Sequence, residues 1–253
     1  MSTLPTPERN MIDIHMHLIP GVDDGAEDEQ MALLMLLRAK DQGIRTVFAT
    51  PHSSAFDEDP EGTKEKFRQL QARAAQIFPE MQLYPGCEVY CETGRMQSVL
   101  SGLESGKYPT MNGSRLVLME FSQWVMPENT TPCVEALVNA GYAPIIAHME
   151  RYQYLRGNMV LVDGFRELEA KIQINAYSLF EEMEDSTRKW AQQLVLERKV
   201  DFLGTDAHRT YHRPPSAQMG LKWLYENTAS EYANAISRGN AQRLLTQKQE
   251  MRS

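Results

Sequence analysis

The stretch Met-Ile-Asp-Ile-His-Met-His at residues 11–17 gives the first strand signal of this chain. Apolar and polar side chains alternate in it, which is typical of a β-strand. Residues two apart on a strand point to the same face, about 6–7 Å apart, so His15 and His17 can both reach one metal ion. Asp13 shares that face, and we expect it to orient a ligand from behind. The spacing alone fits a metal site and a hydrogen-bonded polar face equally well.

The same arrangement recurs along the chain: a short strand-prone run ends in a polar residue, and a helical stretch follows. We predict seven strands, at residues 11–15, 46–50, 82–87, 116–121, 144–147, 172–175 and 201–205. Strands that alternate with helices pair in parallel through crossovers, which predicts an α/β fold. Seven such strands without a reversal favour closure into a barrel over an open sheet.

Stretches with helical spacing lie between these strands. We predict helices at residues 27–42, 63–78, 131–140, 161–171 and 187–198, and two more between 218 and 249 with a break near Gly239. Loops are predicted at 53–60 and 126–131. Because no linker or repeat divides the chain, we predict a single domain over residues 11–253 that follows a flexible segment at residues 1–10.

Composition and charge exclude several classes of protein. The chain carries 26 basic and 34 acidic residues, a net charge of −8, which argues against nucleic-acid binding and a polybasic membrane patch but not against an anionic substrate. No apolar run approaches the ~18 residues of a membrane span. The first ten residues lack signal-peptide features, and three cysteines cannot form a closed disulfide framework. We therefore expect a cytoplasmic protein.

Side chains that carry chemistry concentrate at the carboxyl ends of the predicted strands. They are five of the six histidines and three acids: His15, His17, His52, His148, His208, Glu88, Glu120 and Asp206. In a closed parallel barrel this rim holds the active site. Imidazole with carboxylate suits manganese, iron, cobalt or zinc, and shared carboxylates suit bridging between ions. The combination predicts a multi-metal hydrolase.

Several of these residues have a structural alternative when each is considered singly. Asp23 and Asp24 stand before a glycine, where aspartate is common in a turn or at a helix start. A single histidine after a strand, such as His52, is more often structural than a ligand. Glu120 is different, because a carboxylate between apolar neighbours is costly to bury unless it is paired or coordinated.

Seven motifs stand in a specific order along the chain: Asp13-Ile14-His15-Met16-His17, Asp23-Asp24-Gly25, Thr50-Pro51-His52, Gly86-Cys87-Glu88-Val89-Tyr90, Met119-Glu120-Phe121, Ala147-His148-Met149-Glu150-Arg151-Tyr152 and Asp206-Ala207-His208. In this order the chain resembles the polymerase and histidinol phosphatase (PHP) superfamily. Within it, the chain is similar to the bacterial tyrosine-protein phosphatases of capsular and exopolysaccharide biosynthesis, over roughly residues 11–245. The resemblance implies a distorted seven-stranded (β/α) barrel of the TIM type. It also implies three divalent metal ions at the strand ends, usually manganese, with iron, zinc, cobalt or magnesium as alternatives.

The resemblance implies a role for each matching residue. The first ion would be held by His15, His17, Glu88 and Asp206. A second ion would share Glu88 and be completed by Glu120 and His148. The third would be held by Asp24, His52 and His208, with Asp23 as an alternative to Asp24. The matching phosphate-binding arginines are Arg151 and Arg213, and the candidate acid is His208 or a metal-bound water.

By this resemblance the chain is expected to be a phosphoric monoester hydrolase of the protein-tyrosine-phosphatase class. Metal ions lower the pKa of bound water, so a metal-activated hydroxide would attack the phosphorus of phosphotyrosine. Two arginines would clamp the phosphate oxygens. The expected partner is the phosphotyrosine tail of a bacterial tyrosine kinase that controls capsule or exopolysaccharide synthesis, and the protein is expected to form a homo-oligomer.

Other functions are weighed against this one. A cysteine-based phosphatase is excluded, because no arginine stands six residues after Cys87, Cys91 or Cys133. A related enzyme for a small monoester such as histidinol phosphate stays open. A barrel amidohydrolase shares the His-x-His pair, but it typically bridges its metals with a modified lysine where this chain has Glu120. A subunit that only binds a phosphotyrosine tail is the non-enzymatic alternative.

Overall fold

The computed structural model describes residues 11–180 and 185–250, so the predicted flexible segment at residues 1–10 lies outside the described residues. Within these ranges the chain forms eight strands. They are β1 (Met11–Met16), β2 (Ile44–Ala49), β3 (Gln82–Pro85), β4 (Glu88–Tyr90), β5 (Leu116–Glu120), β6 (Ala143–Ile146), β7 (Lys171–Asn175) and β8 (Phe202–Gly204). Every pair of neighbouring strands is parallel, which confirms the predicted α/β fold.

The strands form two sheets rather than the predicted single set of seven. One sheet has the order β1-β2-β3 and the other β4-β5-β6-β7-β8, and isolated parallel bridges at Met16–Ala207 and His52–Glu88 link them. The seven-stranded barrel is therefore not confirmed. The predicted strand at 82–87 ends at Pro85, and a second short strand, β4, begins at Glu88 and pairs with β5. Gly86 and Glu88 still donate backbone N–H groups to Ala49, the last residue of β2, and to Pro51 just beyond it, so this segment connects the two sheets.

Helices cover the connections between strands. They are α1 (Glu29–Asp41), α2 (Ser53–Glu58), α3 (Pro60–Ile77), α4 (Met96–Glu104), α5 (Thr130–Asn139), α6 (Met159–Glu167), α7 (Asp185–Leu196), α8 (Gln218–Asn227), α9 (Ser230–Asn234) and α10 (Asn240–Glu250). Asp28 and Asp59 begin two of them, since their carboxylates accept hydrogen bonds from the first-turn amides of α1 and α3. None of the helices in the described ranges is long and apolar enough to cross a membrane.

Three predictions about helices were wrong, and one helix was not predicted. The predicted loop at 53–60 contains α2, and α4 was not predicted, because short helices carry too little periodicity to be recognised. The predicted helix at 161–171 ends at Glu167, since Glu169 adopts a left-handed conformation with φ 61°. The predicted break near Gly239 lies instead at Thr228, whose extended backbone ends α8, while Gly239 lies in a π-helical turn that continues into α10.

The carboxyl ends of the strands form the rim that holds the predicted site. Two apolar clusters fill the fold beneath it, and Ile12 and Ile14 of β1 belong to the smaller one. The register of β1 against β2 shifts between Asp13 and Met16, an irregularity of the kind that re-aims side chains beside active sites. Gly204 of β8 allows β1 to approach closely, because a Cβ atom at this position would lie 2.7 Å from Cβ of His15.

Candidate metal centre

The structure brings together all nine residues that were predicted to bind metal. Four groups within the described residues place one ligand atom of each member within 4.8 Å of the others. The groups are His17, Asp24, His52 and His208; His15, Glu88 and His148; His15, His17 and Asp206; and His52, Glu88 and Glu120. His212 is exposed and belongs to none of them.

The inner group, defined here as His15, Glu88 and His148, is buried. The two imidazoles approach the same carboxylate oxygen: Oε1 of Glu88 lies 3.2 Å from Nε2 of His15 and 2.7 Å from Nε2 of His148. The three side chains come from β1, from the start of β4 and from the second residue after β6. Contacts between three strands therefore decide this geometry.

The outer group, defined here as His17, Asp24, His52 and His208, opens to solvent. Oδ1 of Asp24 lies 3.3 Å from Nε2 of His52 and 3.3 Å from Nε2 of His208. The Asp24 side chain is 64% exposed and that of His52 is 30% exposed, whereas His17 and His208 are buried.

Asp206 and Glu120 join the two groups. Oδ1 of Asp206 lies 3.5 Å from Nε2 of both His15 and His17. Oε1 of Glu120 lies 2.9 Å from Nδ1 of His52, while its other oxygen lies 3.8 Å from Nε2 of His148. The resemblance grouped Glu120 with His148, and the structure places it nearer to His52.

Asp23 and Asp24 take different positions. One oxygen of Asp23 lies 2.8 Å from Nδ1 of His17 and also accepts the backbone N–H of His52, and its other oxygen accepts the N–H of Gly25. Asp23 therefore stands behind the His17 ring, while Asp24 faces the imidazoles of the outer group. Such a carboxylate fixes the tautomer of a histidine and leaves its other nitrogen free for a ligand role.

The arrangement fits divalent metal ions. Nε2 of His15 and Nε2 of His17 are 3.3 Å apart, and two nitrogens bound to one tetrahedral ion at 2.0–2.1 Å would lie about 3.3 Å apart. Within the described residues, Oδ1 of Asp206 and Nδ1 of His148 are buried without a hydrogen-bond partner. Buried polar atoms of this kind are costly unless something binds them. Imidazole and carboxylate ligands suit first-row transition metals.

The electrostatics of the cluster also favour cations. Burial disfavours the charged form of Glu88, but His15 and His148 hold its pKa well below the usual range. Burial likewise opposes charge on His15, yet Glu88 and Asp206 raise its pKa. The Glu88 carboxylate is thus stabilised by positive charge nearby, which is a condition that a bound cation also satisfies.

The two predicted arginines meet at the edge of the cluster. Nη1 of Arg151 donates to Oδ2 of Asp206 at 2.7 Å, and Nη2 of Arg213 donates to the same oxygen. Nη1 of Arg213 also lies 3.0 Å from Nε2 of His208. Both arginine side chains are 25% exposed, so they are accessible to a ligand that enters from solvent.

Strained backbone accompanies the site. His148, Asp206 and Arg213 have φ values of 32°, 52° and 51°, in the left-handed region that side chains other than glycine rarely adopt. Each such residue costs about 1–3 kcal/mol and persists only where the surroundings enforce it. All three side chains take part in the contacts of the site, His148 with Glu88 and Arg213 with Asp206.

Asp13 supports His15 through the backbone. Its carboxylate accepts the backbone N–H of His15 and the N–H and hydroxyl of Thr205 on the neighbouring strand end. That Asp13 orients a metal ligand stays a prediction. Burial raises the pKa of Asp13 to about 6.

The residue that orients the inner group is Gln173, which the sequence reasoning missed. Its Oε1 lies 3.2 Å from Nδ1 of His15 and accepts the backbone N–H of His148 at 2.8 Å. Its Nε2 donates to Asn175, whose amide in turn donates to Oδ2 of Asp206. A signal was present: Gln173 and Asn175 are polar residues two apart at the end of a predicted strand, the same pattern that identified His15 and His17.

A cluster of buried imidazoles and carboxylates at the strand ends of a parallel α/β fold is a site of the metal-dependent hydrolase class. The family model described as capsular polysaccharide synthesis, CpsB/CapC, matches residues 11–246. The chain therefore belongs to the CpsB/CapC family, which confirms the family predicted from the motifs.

Relatives of this family are named for an activity. Tyrosine-protein phosphatase YwqE of Bacillus subtilis is 31% identical over 93% of this chain and 91% of its own length. Tyrosine-protein phosphatase CpsB of Streptococcus pneumoniae is 27% identical over 93% of this chain and 98% of its own length. A solved structure from work on YwqE and CpsB, described there as metal-dependent tyrosine phosphatases, matches with a TM-score of 0.84 and 30% identity, over 93% of this chain and 94% of the other.

More distant neighbours share only the fold. A β-aspartyl dipeptidase from Fervidobacterium islandicum matches 93% of this chain and 72% of its own with a TM-score of 0.59 at 13% identity. This likeness supports the α/β architecture and carries no statement about chemistry.

Proposed function

We propose that the chain is a metal-dependent protein-tyrosine phosphatase, which hydrolyses phosphotyrosine to tyrosine and phosphate. The main support for the proposal is that Arg151 and Arg213 both donate hydrogen bonds to one oxygen of Asp206. This contact lies at the open edge of the imidazole and carboxylate cluster. Two guanidinium groups beside a site for divalent cations suit a phosphoryl dianion. The names of the relatives support tyrosine as the leaving group.

The proposed cofactors are three divalent ions, with manganese as the first choice of metal. Their proposed ligands are His15, His17, Asp24, His52, Glu88, Glu120, His148, Asp206 and His208. Such ions, when bound, lower the pKa of a coordinated water and supply hydroxide near neutral pH.

The proposed task of the two arginines is to bind and orient the phosphoryl group. Arg151 and Arg213 already direct N–H groups at a carboxylate oxygen of Asp206, and phosphoryl oxygens accept the same contacts. Within the described residues, Nε of Arg213 is buried without a hydrogen-bond partner. That N–H is therefore available to a substrate oxygen without the loss of an existing bond.

We propose that His208 is a ligand rather than the acid. Its Nδ1 lies 3.0 Å from the backbone oxygen of Asp206, which can only accept, so Nδ1 carries the proton. Its Nε2 faces Nη1 of Arg213, which can only donate, so Nε2 is an acceptor. Burial and the neighbouring His17 lower the pKa of His208, in agreement with a neutral ring. A tyrosyl leaving group, with a parent pKa of about 10, needs little help from an acid.

Several broader properties belong to the same proposal. We propose one domain over residues 11–253 in which the two sheets act together as a distorted barrel, because bridges at Met16–Ala207 and His52–Glu88 join their edges. We propose that it works in the cytoplasm, where its three buried cysteines stay reduced. The proposed partner is the phosphotyrosine tail of a bacterial tyrosine kinase that controls capsule or exopolysaccharide synthesis, and the proposed assembly is a homo-oligomer.

The test compares three substrates with added manganese: a phosphotyrosine peptide, the phosphoserine peptide of the same sequence, and histidinol phosphate. We expect the phosphotyrosine peptide to be hydrolysed at least about tenfold faster than the others, because its leaving group is the best of the three. Equal or faster hydrolysis of histidinol phosphate would favour a small-monoester phosphatase instead, and no hydrolysis of any substrate would leave only a binding role.

Two arginine variants test whether the convergence of Arg151 and Arg213 serves catalysis. Arg151→Gln should lower kcat/KM for the phosphotyrosine peptide by about 10²-fold, because one charge-assisted contact to the phosphoryl group is lost. Arg68→Gln removes a comparable charge from the exposed surface of α3 and should leave the activity unchanged. Equal activity of both variants would contradict the proposed arginine clamp.

A further inference from the structure

Tyr177 is a residue of the site that neither the motifs nor the proposed mechanism uses. It lies in the 3-10 turn Ala176–Leu179, which directly follows β7, so it stands at the same rim as the metal centre. The side chain is partly buried. Its hydroxyl lies 3.1 Å from Nδ2 of Asn175, and the same Nδ2 lies 3.3 Å from Oδ2 of Asp206. One amide group therefore connects this hydroxyl to the oxygen on which both arginines converge.

The direction of the hydrogen bonds along β7 determines what the Tyr177 hydroxyl can do. The backbone N–H of His148 can only donate, so the atom of Gln173 that faces it must be the carbonyl oxygen Oε1. Nε2 of Gln173 then donates to Oδ1 of Asn175, which leaves Nδ2 of Asn175 as the donor toward Tyr177. The tyrosine oxygen is thus an acceptor in this bond, and its own proton points elsewhere.

That proton has no acceptor among the hydrogen bonds of residues 11–180 and 185–250, where the Tyr177 hydroxyl only accepts. Burial, followed by the negative charge of Asp206, raises the pKa of Tyr177, so the hydroxyl keeps its proton at neutral pH. A protonated hydroxyl that already accepts one bond and is partly open to solvent is available as a donor to a ligand.

We propose that the Tyr177 hydroxyl is a third hydrogen-bond donor to the substrate phosphoryl group, beside Arg151 and Arg213. This inference rests on the proposed phosphatase function and adds a substrate-contacting residue to it. The network from His148 through Gln173 and Asn175 positions the hydroxyl before the substrate arrives, so little rotamer freedom is lost on binding. The same network links the metal ligands to the phosphoryl contact.

The variant Tyr177→Phe tests this role, because it removes the hydroxyl and keeps the ring. Two measurements are made on the manganese-loaded protein: kcat/KM for p-nitrophenyl phosphate, and the dissociation constant of inorganic phosphate by titration calorimetry. A hydrogen bond from a neutral donor to a charged oxygen is worth roughly 10- to 100-fold in binding. We therefore expect kcat/KM to fall and the dissociation constant to rise by at least about tenfold, with manganese content and Tm unchanged.

The matched control is Tyr232→Phe. This hydroxyl bonds the backbone N–H and oxygen of Val200, away from the cluster, so its loss should lower Tm without changing phosphate binding. If Tyr177→Phe binds phosphate with an unchanged dissociation constant, the inference is overturned, whatever happens to turnover. The inference is also overturned if phosphate binds more weakly only because the variant has lost manganese. If the wild-type protein hydrolyses no aryl phosphate, the proposed function fails, while the phosphate titration still decides the role of Tyr177.

Discussion

The inner and outer groups of the metal centre use the same types of side chain in opposite surroundings. The inner group of His15, Glu88 and His148 is buried, and Gln173 holds both of its imidazole residues in place. The outer group includes Asp24, whose side chain is 64% exposed and lies on the loop after β1. The difference teaches that one site can combine a preorganised half, built on strands, with an accessible half, built on loops. We expect the inner half to bind metal more tightly.

Loss of a side chain of the inner group should have the largest effect. The variant His148→Ala removes one of the two imidazoles that approach Oε1 of Glu88 and leaves this buried carboxylate without its closest partner. We expect kcat/KM to fall by roughly 10³-fold or more, without recovery in excess manganese. His212→Ala, at an exposed histidine outside the groups, should retain full activity. Substantial turnover by His148→Ala would contradict the enzyme proposed here.

The residue behind the inner group should have the next largest effect. Gln173→Leu leaves Nδ1 of His15 and the backbone N–H of His148 without their partner. Loss of such an orienting contact typically costs 10- to 100-fold in metal affinity or activity, and we expect a loss of that size in a manganese titration. Gln192→Leu is the control, because its amide bonds only the backbone oxygen of Leu179. If both variants bind manganese equally well, the inner group is not held by Gln173.

A change in the outer group should be milder and reversible. Asp24→Asn keeps the shape of the side chain but removes its negative charge beside His52 and His208. We expect about a tenfold loss of kcat/KM at limiting manganese and recovery when manganese is in excess, because this half exchanges with solvent. Asp41→Asn, at an exposed position on α1, provides the control. A loss as large and irreversible as that of His148→Ala would erase the distinction between the two groups.

The smallest effect concerns the helix that follows His52 of the outer group. Asp57 of α2 accepts hydrogen bonds from Lys107 and Tyr108. Although burial opposes it, these two contacts lower the pKa of Asp57. A lowered pKa in the folded state contributes stability above the ordinary aspartate pKa, and that contribution is lost as the pH falls through the folded value. Asp57→Asn should therefore lower the free energy of unfolding by about 0.5–1 kcal/mol at pH 7.

The pH dependence of this effect provides its check. As the pH falls from 7 through the ordinary aspartate pKa of about 4 and on through the lowered folded value, the carboxyl becomes protonated in both states, so denaturant unfolding should show a smaller difference between the two proteins at acid pH. An equal difference at both pH values would mean that the charge of Asp57 contributes nothing, and that only packing of α2 was changed.

Most of the site was predictable because its signals are local in the chain. His15 and His17 were recognised from period-two spacing, and Glu120 from the cost of a carboxylate among apolar neighbours. These residues meet because they stand at the carboxyl ends of parallel strands, which lie together at one rim of the fold. Which atom of His15 Asp13 would contact was not predictable: its carboxylate accepts the backbone N–H, and residue spacing does not distinguish that from a contact to the ring. The predicted number of strands was not confirmed, because the predicted strand at 82–87 ends at Pro85 and a further short strand begins at Glu88 in the other sheet.

By itself, the sequence determined the α/β class, the rim on which the imidazoles and carboxylates gather, and the family, because each depends on residue types at short spacings. Only the tertiary structure decided which groups stand behind which ligands: Gln173 behind His15 across 158 residues, Asp23 behind His17, and Tyr177 beside Asp206 through Asn175. The physical reason is that these contacts join side chains from different strands and loops. Their pairing depends on strand order, register and the close approach of β1 to β8, which no local pattern encodes.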